Sequence, residues 1–186
     1  KPQQTVDPTV AASQMVLSLQ SVVSRNADPV QQMVISVTSF ETSSKAYNVI
    51  PASVHLRGTI RTMSTEMRDL AKKRLIEIAE NTALVFGAKA HVQYHPGYPV
   101  MSNHAQQTKL AADVARVVSG QCDEAPLVMG GEDFAYMLLE RPGAYILMGN
   151  GDTAAVHHPE YNFNDAAIPA GVSFWVELAE SRMPAA

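Results

Sequence analysis

Val54-His55-Leu56-Arg57-Gly58-Thr59-Ile60-Arg61-Thr62 alternates in character from one residue to the next. Val54, Leu56, Gly58 and Ile60 fall on one face, and His55, Arg57, Thr59 and Arg61 on the other, as in a strand with one buried side. Extended upstream past an interruption at Pro51, this strand is expected from about Ala46 to Thr62. Before it, Met33-Val34-Ile35-Ser36-Val37-Thr38-Ser39-Phe40 is rich in β-branched residues and alternates in part, which predicts another strand. The polar residues Glu41 to Lys45 join the two.

Helices flank this pair. Asp7-Pro8 reads as an N-cap with proline in the first turn. Ala12, Val16, Leu19 and Val23 follow at helical spacing, so the helix should run to about Val23. Ser64 caps a second helix, with Glu66 well placed for its dipole. Met67, Leu70, Ala71, Leu75, Ile78, Ala79 and Val85 form its apolar stripe, and Gly87 ends it. A further strand is expected around His91 to Tyr94. The order is α-β-β-α-β. With one more strand ahead of Lys1 it becomes the split β-α-β-β-α-β sandwich, an α+β fold with a four-stranded antiparallel sheet and two helices on one face.

Pro96-Gly97-Tyr98-Pro99 marks a change of character, dividing residues 1–100 from residues 101–186. The later part should carry a helix from about Gln106 to Ser119, a short helix at Gly130-Gly131-Glu132-Asp133, a strand from Ala144 to Met148 and a final helix from Ile168 to Arg182. These elements cannot comfortably close a core, and read as the C-terminal strip of a larger α/β domain. Lys1-Pro2-Gln3-Gln4-Thr5 has neither Met nor an apolar core, so it is no signal peptide and reads as the interior of a longer chain.

Across the 186 residues, 46% are apolar and 17% charged, enough to build a packed core and unlike a disordered chain. The net charge of −4 draws the protein neither to nucleic acid nor to an anionic membrane surface. No apolar run approaches the roughly 20 residues that span a bilayer. A single cysteine, Cys122, excludes an intrachain disulfide framework and fits a cytoplasmic location.

Candidate chemistry is concentrated in the last third. His157-His158 precedes Pro159 in a loop, and adjacent loop histidines cannot easily serve one metal ion together, so one of the pair is the candidate ligand. Gly130 and Gly131 stand directly before a helix start. They would permit close backbone approach to a ligand with free N–H groups for an anion. Equally, they would form a tight turn whose acidic residues satisfy the helix end. Arg61 ends a strand on its polar face and could hold a carboxylate bidentately, and Asn48 could donate to a carbonyl. No Gly-x-Ser-x-Gly elbow or phosphate loop occurs.

Taken in order, Thr5-Val6-Asp7-Pro8, Ala46-Tyr47-Asn48-Val49-Ile50-Pro51, Leu56-Arg57-Gly58-Thr59-Ile60-Arg61-Thr62, Gly130-Gly131-Glu132-Asp133-Phe134 and His157-His158-Pro159 with Tyr161-Asn162-Phe163-Asn164-Asp165 resemble the aminoacylase/hippurate hydrolase family of metallo-amidohydrolases. The resemblance covers essentially the whole chain and corresponds to the C-terminal half of such proteins. It implies that residues 1–100 are a lid and dimerisation domain, and that residues 101–186 return to the α/β metallopeptidase catalytic domain. It also implies a homodimer, an N-acyl-amino-acid substrate and two divalent ions (Zn, Mn, Ni or Co) per complete site. His157 becomes the last metal ligand, while His158 occupies a variable position. Asn48 and Arg61 reach the substrate, Arg61 at its α-carboxylate, and Gly130 and Gly131 line the pocket with backbone. The general base, the oxyanion histidine and the remaining ligands are expected before Lys1, so the isolated chain should be inactive. The alternative is a dimerisation or ligand-binding module of the same ancestry without catalysis.

Overall fold

The computed structural model describes residues Lys1–Met183. The chain divides into two compact units, Lys1–Val100 and Met101–Ala186.

In the first unit, α1 spans Pro8–Ser21 and continues into a π-helical turn, Val22–Asn26. Its start is set by Asp7, whose side chain accepts from the Thr9 backbone N–H at 2.8 Å. Strands β1 (Met33–Thr42) and β2 (Val54–Thr62) pair antiparallel, and α2 follows from Thr65 to Val85. Ser64 Oγ accepts from Met67 N, and Gly87 takes a φ of +71° just beyond the helix end, where glycine carries no Cβ penalty. Val22, Met33, Ile35 and Ala71 form the buried centre, with Ile60, Met67, Leu70 and Ile78 packed around it. Helix α2 buries Ala71, Ala79 and Ala83, whereas Val85 is exposed. Six residues beyond Ala79 is about one and two-thirds turns, which carries Val85 off the stripe.

The partial alternation of β1 has a cause. Val37 faces Gly58 and Ser39 faces Arg57, so Thr38 is an extra residue in a bulge. The extra residue resets the strand's facing and brings Phe40 opposite Leu56. At Gly58 a Cβ would run into the Ser36 carbonyl oxygen, so the two backbones meet there only because residue 58 has no side chain.

The described residues hold two strands, both in this hairpin. The expected four-stranded sheet is not formed, and three expected strand readings change. Residues 46–53 are turn and coil: beyond Ser43 N to Ser53 O the ladder stops, and Ser43 Oγ accepts from Ala52 N and Ser53 N instead. His91–Tyr94 makes no ladder. In the split topology the strand after the second helix pairs with the strand before the first helix, and among the described residues no strand precedes α1. The segment nevertheless keeps a period of two, with Val92 and Tyr94 partly buried and His91 and Gln93 exposed. Tyr94 lies beneath Lys72 of α2, with Nζ 5.3 Å from the ring centroid.

In the second unit, α3 (Ala105–Ser119) packs on α5 (Ile168–Arg182) through Ala111, Val114, Phe174 and Leu178, and α4 spans Phe134–Glu140. Residues 144–148, expected as a strand, run as coil. A ladder needs a neighbouring strand, and the backbone of Tyr145 bonds to the Asn103 side chain in its place. Leu127 and Leu147 are 78% and 71% exposed. Continuous apolar runs of this kind belong to strands covered on both faces.

Candidate active site

His157 rides on the loop between Asn150 and Asn164. Among the described residues it is the one non-glycine residue with positive φ, at 74°. Left-handed backbone at such a residue is strained and collects at functional positions. His157 is the third residue of a turn closed by His158 N donating to Ala155 O at 3.0 Å, and a second turn follows, closed by Tyr161 N donating to His158 O at 2.9 Å. The adjacent histidines are thereby distinguished. His158 Nδ1 accepts from Glu160 N at 3.1 Å and is committed to the turn, while the exposed His157 ring has no hydrogen-bond partner among the described residues.

The loop ends are tied by side chains. Asn150 Nδ2 donates to Asn162 O at 2.9 Å, and Asn150 Oδ1 accepts from Asn164 N at 2.8 Å. An open polar depression of about 460 Å³ lies beside them, lined by Asn150, Asp152, Thr153, Asn162, Asn164 and Asp165. His157 does not line it.

Gly130 and Gly131 are exposed and precede α4, whose first three N–H groups have partners. Phe134 N donates to Glu132 Oε1, Ala135 N to Glu132 O, and Tyr136 N to Asp133 O. These bonds are those of a tight turn that satisfies the start of α4. The Phe134 bond lowers the Glu132 pKa below the ordinary carboxylate range, and a hydrogen bond from the Tyr145 hydroxyl lowers it further. That same bond raises the Tyr145 pKa. Tyr145 is fixed in turn by Asn103, which donates through Nδ2 to Tyr145 O and accepts from Tyr145 N, both at 2.8 Å.

In the first unit Arg61 faces Val34 across the hairpin, with its guanidinium exposed and Nη1 donating to Ile60 O at 3.2 Å. Asn48 lies exposed in the β1–β2 connection, at the hairpin's other end. The structure does not bring Asn48 and Arg61 together. In the second unit Gly130 and Gly131 belong to one loop and His157 to another. Asn103, Tyr145 and Asn150, which organise those loops, escaped sequence reasoning, because a loop asparagine has no period to betray it. The one available signal was asparagine recurring at 150, 162 and 164 around the histidine pair.

Among the described residues no three His, Cys, Asp or Glu side chains converge as a metal site. The donors present fit one corner of such a site, a free imidazole on a constrained loop. No helix among them is long and apolar enough to cross a membrane.

The sequence pattern of peptidase family M20/M25/M40 matches residues 5–181. The N-acetyl-L-cysteine deacetylase of Bacillus subtilis is 34% identical over 179 residues, covering 96% of this chain and 43% of that protein. The N-acetyldiaminopimelate deacetylase of Streptococcus thermophilus is 37% identical over 176 residues, 92% of this chain and 46% of its own length. A solved Bacillus subtilis structure, described as a dinuclear metal-binding peptidase of the M20 family, superposes with a TM-score of 0.79 at 29% identity, over 96% of this chain and 46% of that one. The chain thus spans about half the length of the relatives it matches. With its pattern matched over nearly its whole length, the chain belongs to peptidase family M20/M25/M40.

Proposed function

We propose that this chain is the lid and C-terminal catalytic segment of a metal-dependent amidohydrolase that cleaves N-acyl amino acids, hippurate-like conjugates among them, to an acid and a free amino acid. The observation that carries this reading is His157: a strained backbone, an exposed ring without a partner, and a neighbour already committed to the turn. The bare apolar segments around Leu127 and Leu147 support a larger domain covering them. The deacetylase relatives support the substrate class.

Each residue then has a task. His157 supplies one imidazole nitrogen to a dinuclear centre whose other ligands, and whose general base, come from protein outside these residues. Two divalent cations, when bound, supply Lewis acidity for the attack of water on the amide. Arg61 holds the substrate carboxylate with its fork of donors, and Asn48 donates to the substrate carbonyl. Gly130 and Gly131 let the substrate lie close to backbone. The first unit acts as lid and dimer contact.

Metal analysis of the complete enzyme tests this reading. His157→Ala should lower bound divalent metal, whereas His158→Ala should leave it near the wild-type value. Full metal content after His157→Ala would remove His157 from the role.

A further inference from the structure

We propose that Asn150 is the positioning residue of His157, its carboxamide closing the loop so that the imidazole is presented before a metal ion arrives. The inference rests on the reading of His157 as a ligand and adds to it the device that holds the ligand in place.

The loop from Asn150 to Asn164 has no strand neighbour, so nothing in the backbone ladder fixes its ends. Asn150 substitutes for that neighbour. Its Nδ2 donates to the Asn162 carbonyl and its Oδ1 accepts the Asn164 N–H, so both halves of one amide bridge to backbone groups 12 and 14 residues away. Thr153 Oγ1 adds a weaker bond to the same Asn162 carbonyl, at 3.4 Å. The closing residue is anchored too: Asn164 Oδ1 accepts from Ala166 N at 3.0 Å, tying the loop to the turn that starts α5. Immediately after Asn150 the chain departs through Gly151 at φ +85°, where a Cβ would stand 3.3 Å from Asn164 Nδ2.

His157 lies midway around this closed loop in a conformation that persists only where the surroundings over-determine it. The two turns through His158 fix the local geometry, and the Asn150 bridge fixes where the loop ends sit. A metal ligand held this way loses little freedom on binding, and residues behind the ligands commonly govern affinity by about 10–100-fold.

The test has two readouts. In the 186-residue chain, Asn150→Ala should raise amide exchange at Asn164 while amides of α3 and α5 stay protected. In the metal-loaded enzyme, Asn150→Ala should raise the metal dissociation constant by about 10–100-fold. Asn150→Asp, which keeps the acceptor for Asn164 N but loses the donor to Asn162 O, should fall between. The effect should shrink to within about twofold in a His157→Ala background, since a residue acting through His157 has nothing left to position. An undiminished effect in that background means general loosening and overturns the proposal. So does unchanged metal affinity in Asn150→Ala when His157→Ala has lost it, or unchanged exchange at Asn164. If His157→Ala itself keeps its metal, the ligand reading fails first and takes this inference with it.

Discussion

Asn48 and Arg61 stand at opposite ends of the β1–β2 hairpin: Arg61 faces Val34 near the start of β1, and Asn48 lies beyond Thr42 and Val54 at the connection. Val54 and Arg61 alone are separated by about 23 Å, at about 3.3 Å per strand residue. That exceeds the reach of one N-acyl amino acid. If both side chains touch substrate and the first unit makes the proposed dimer contact, each substrate meets Arg61 of one protomer and Asn48 of its partner. Mixing inactive Asn48→Ala and Arg61→Ala subunits should then restore about a quarter of wild-type activity, because half of a symmetric dimer population is mixed and each mixed dimer has one intact site. No recovery on mixing would place both residues in the same site or remove one of them.

Arg61→Ala should weaken substrate binding in the complete enzyme by roughly 2–5 kcal/mol if the ion pair is desolvated. Competition measurements with an N-acyl amino acid and its methyl ester discriminate. The loss should be confined to the substrate with a free carboxylate, and equal losses for both would rule out the carboxylate contact.

The Glu132–Tyr145 bond predicts a pH window for the Gly130–Gly131 loop. Glu132 titrates below its ordinary value, so its contribution is present above the usual carboxylate range and is lost as pH falls through the lowered pKa. Tyr145 titrates above its ordinary value, so its contribution is present below the usual phenol range and is lost as pH rises through the raised pKa. Glu132→Gln should return the Tyr145 phenol towards its usual titration, followed by the carbon resonance beside the hydroxyl. An unmoved titration would show that another group shifts Tyr145.

Gly58→Ala should destabilise the first unit by about 1–3 kcal/mol, the usual cost of forcing extra atoms into a filled space. Here the obstacle is the Ser36 carbonyl in the paired strand, which cannot rotate away as a side chain would. Thermal unfolding of the variant reads the effect, and a melting temperature equal to wild type would contradict the close approach.

Much of the fold was legible because it is local. Ser64 announced its helix, Ile168–Arg182 matched residue for residue, and the period-two faces of Val54–Thr62 survived intact. The unformed strands fail for a non-local reason: His91–Tyr94 and Ala144–Met148 have strand character but no partner, and hydrogen-bond pairing belongs to two segments at once. The site divides in the same way. Motif order picked out Asn48, Arg61, Gly130, Gly131 and His157, and the resemblance already set His157 apart from His158; the residues taken alone did not, and geometry adds one backbone dihedral and the bond from Glu160 N to His158 Nδ1. The Asn103 and Asn150 bridges span from 12 to 42 residues, beyond the reach of any periodic signal.

The most direct test of the central claim is the coding sequence immediately upstream of the Lys1 codon. An open frame roughly as long as this chain is expected there, in keeping with relatives of which it spans about half. That frame should carry a His-x-Asp or Cys-x-His ligand motif, a Glu-Glu pair and a histidine shortly before Lys1. A start codon close to Lys1, with none of those residues, would contradict the amidohydrolase assignment and leave a free-standing module of the same family.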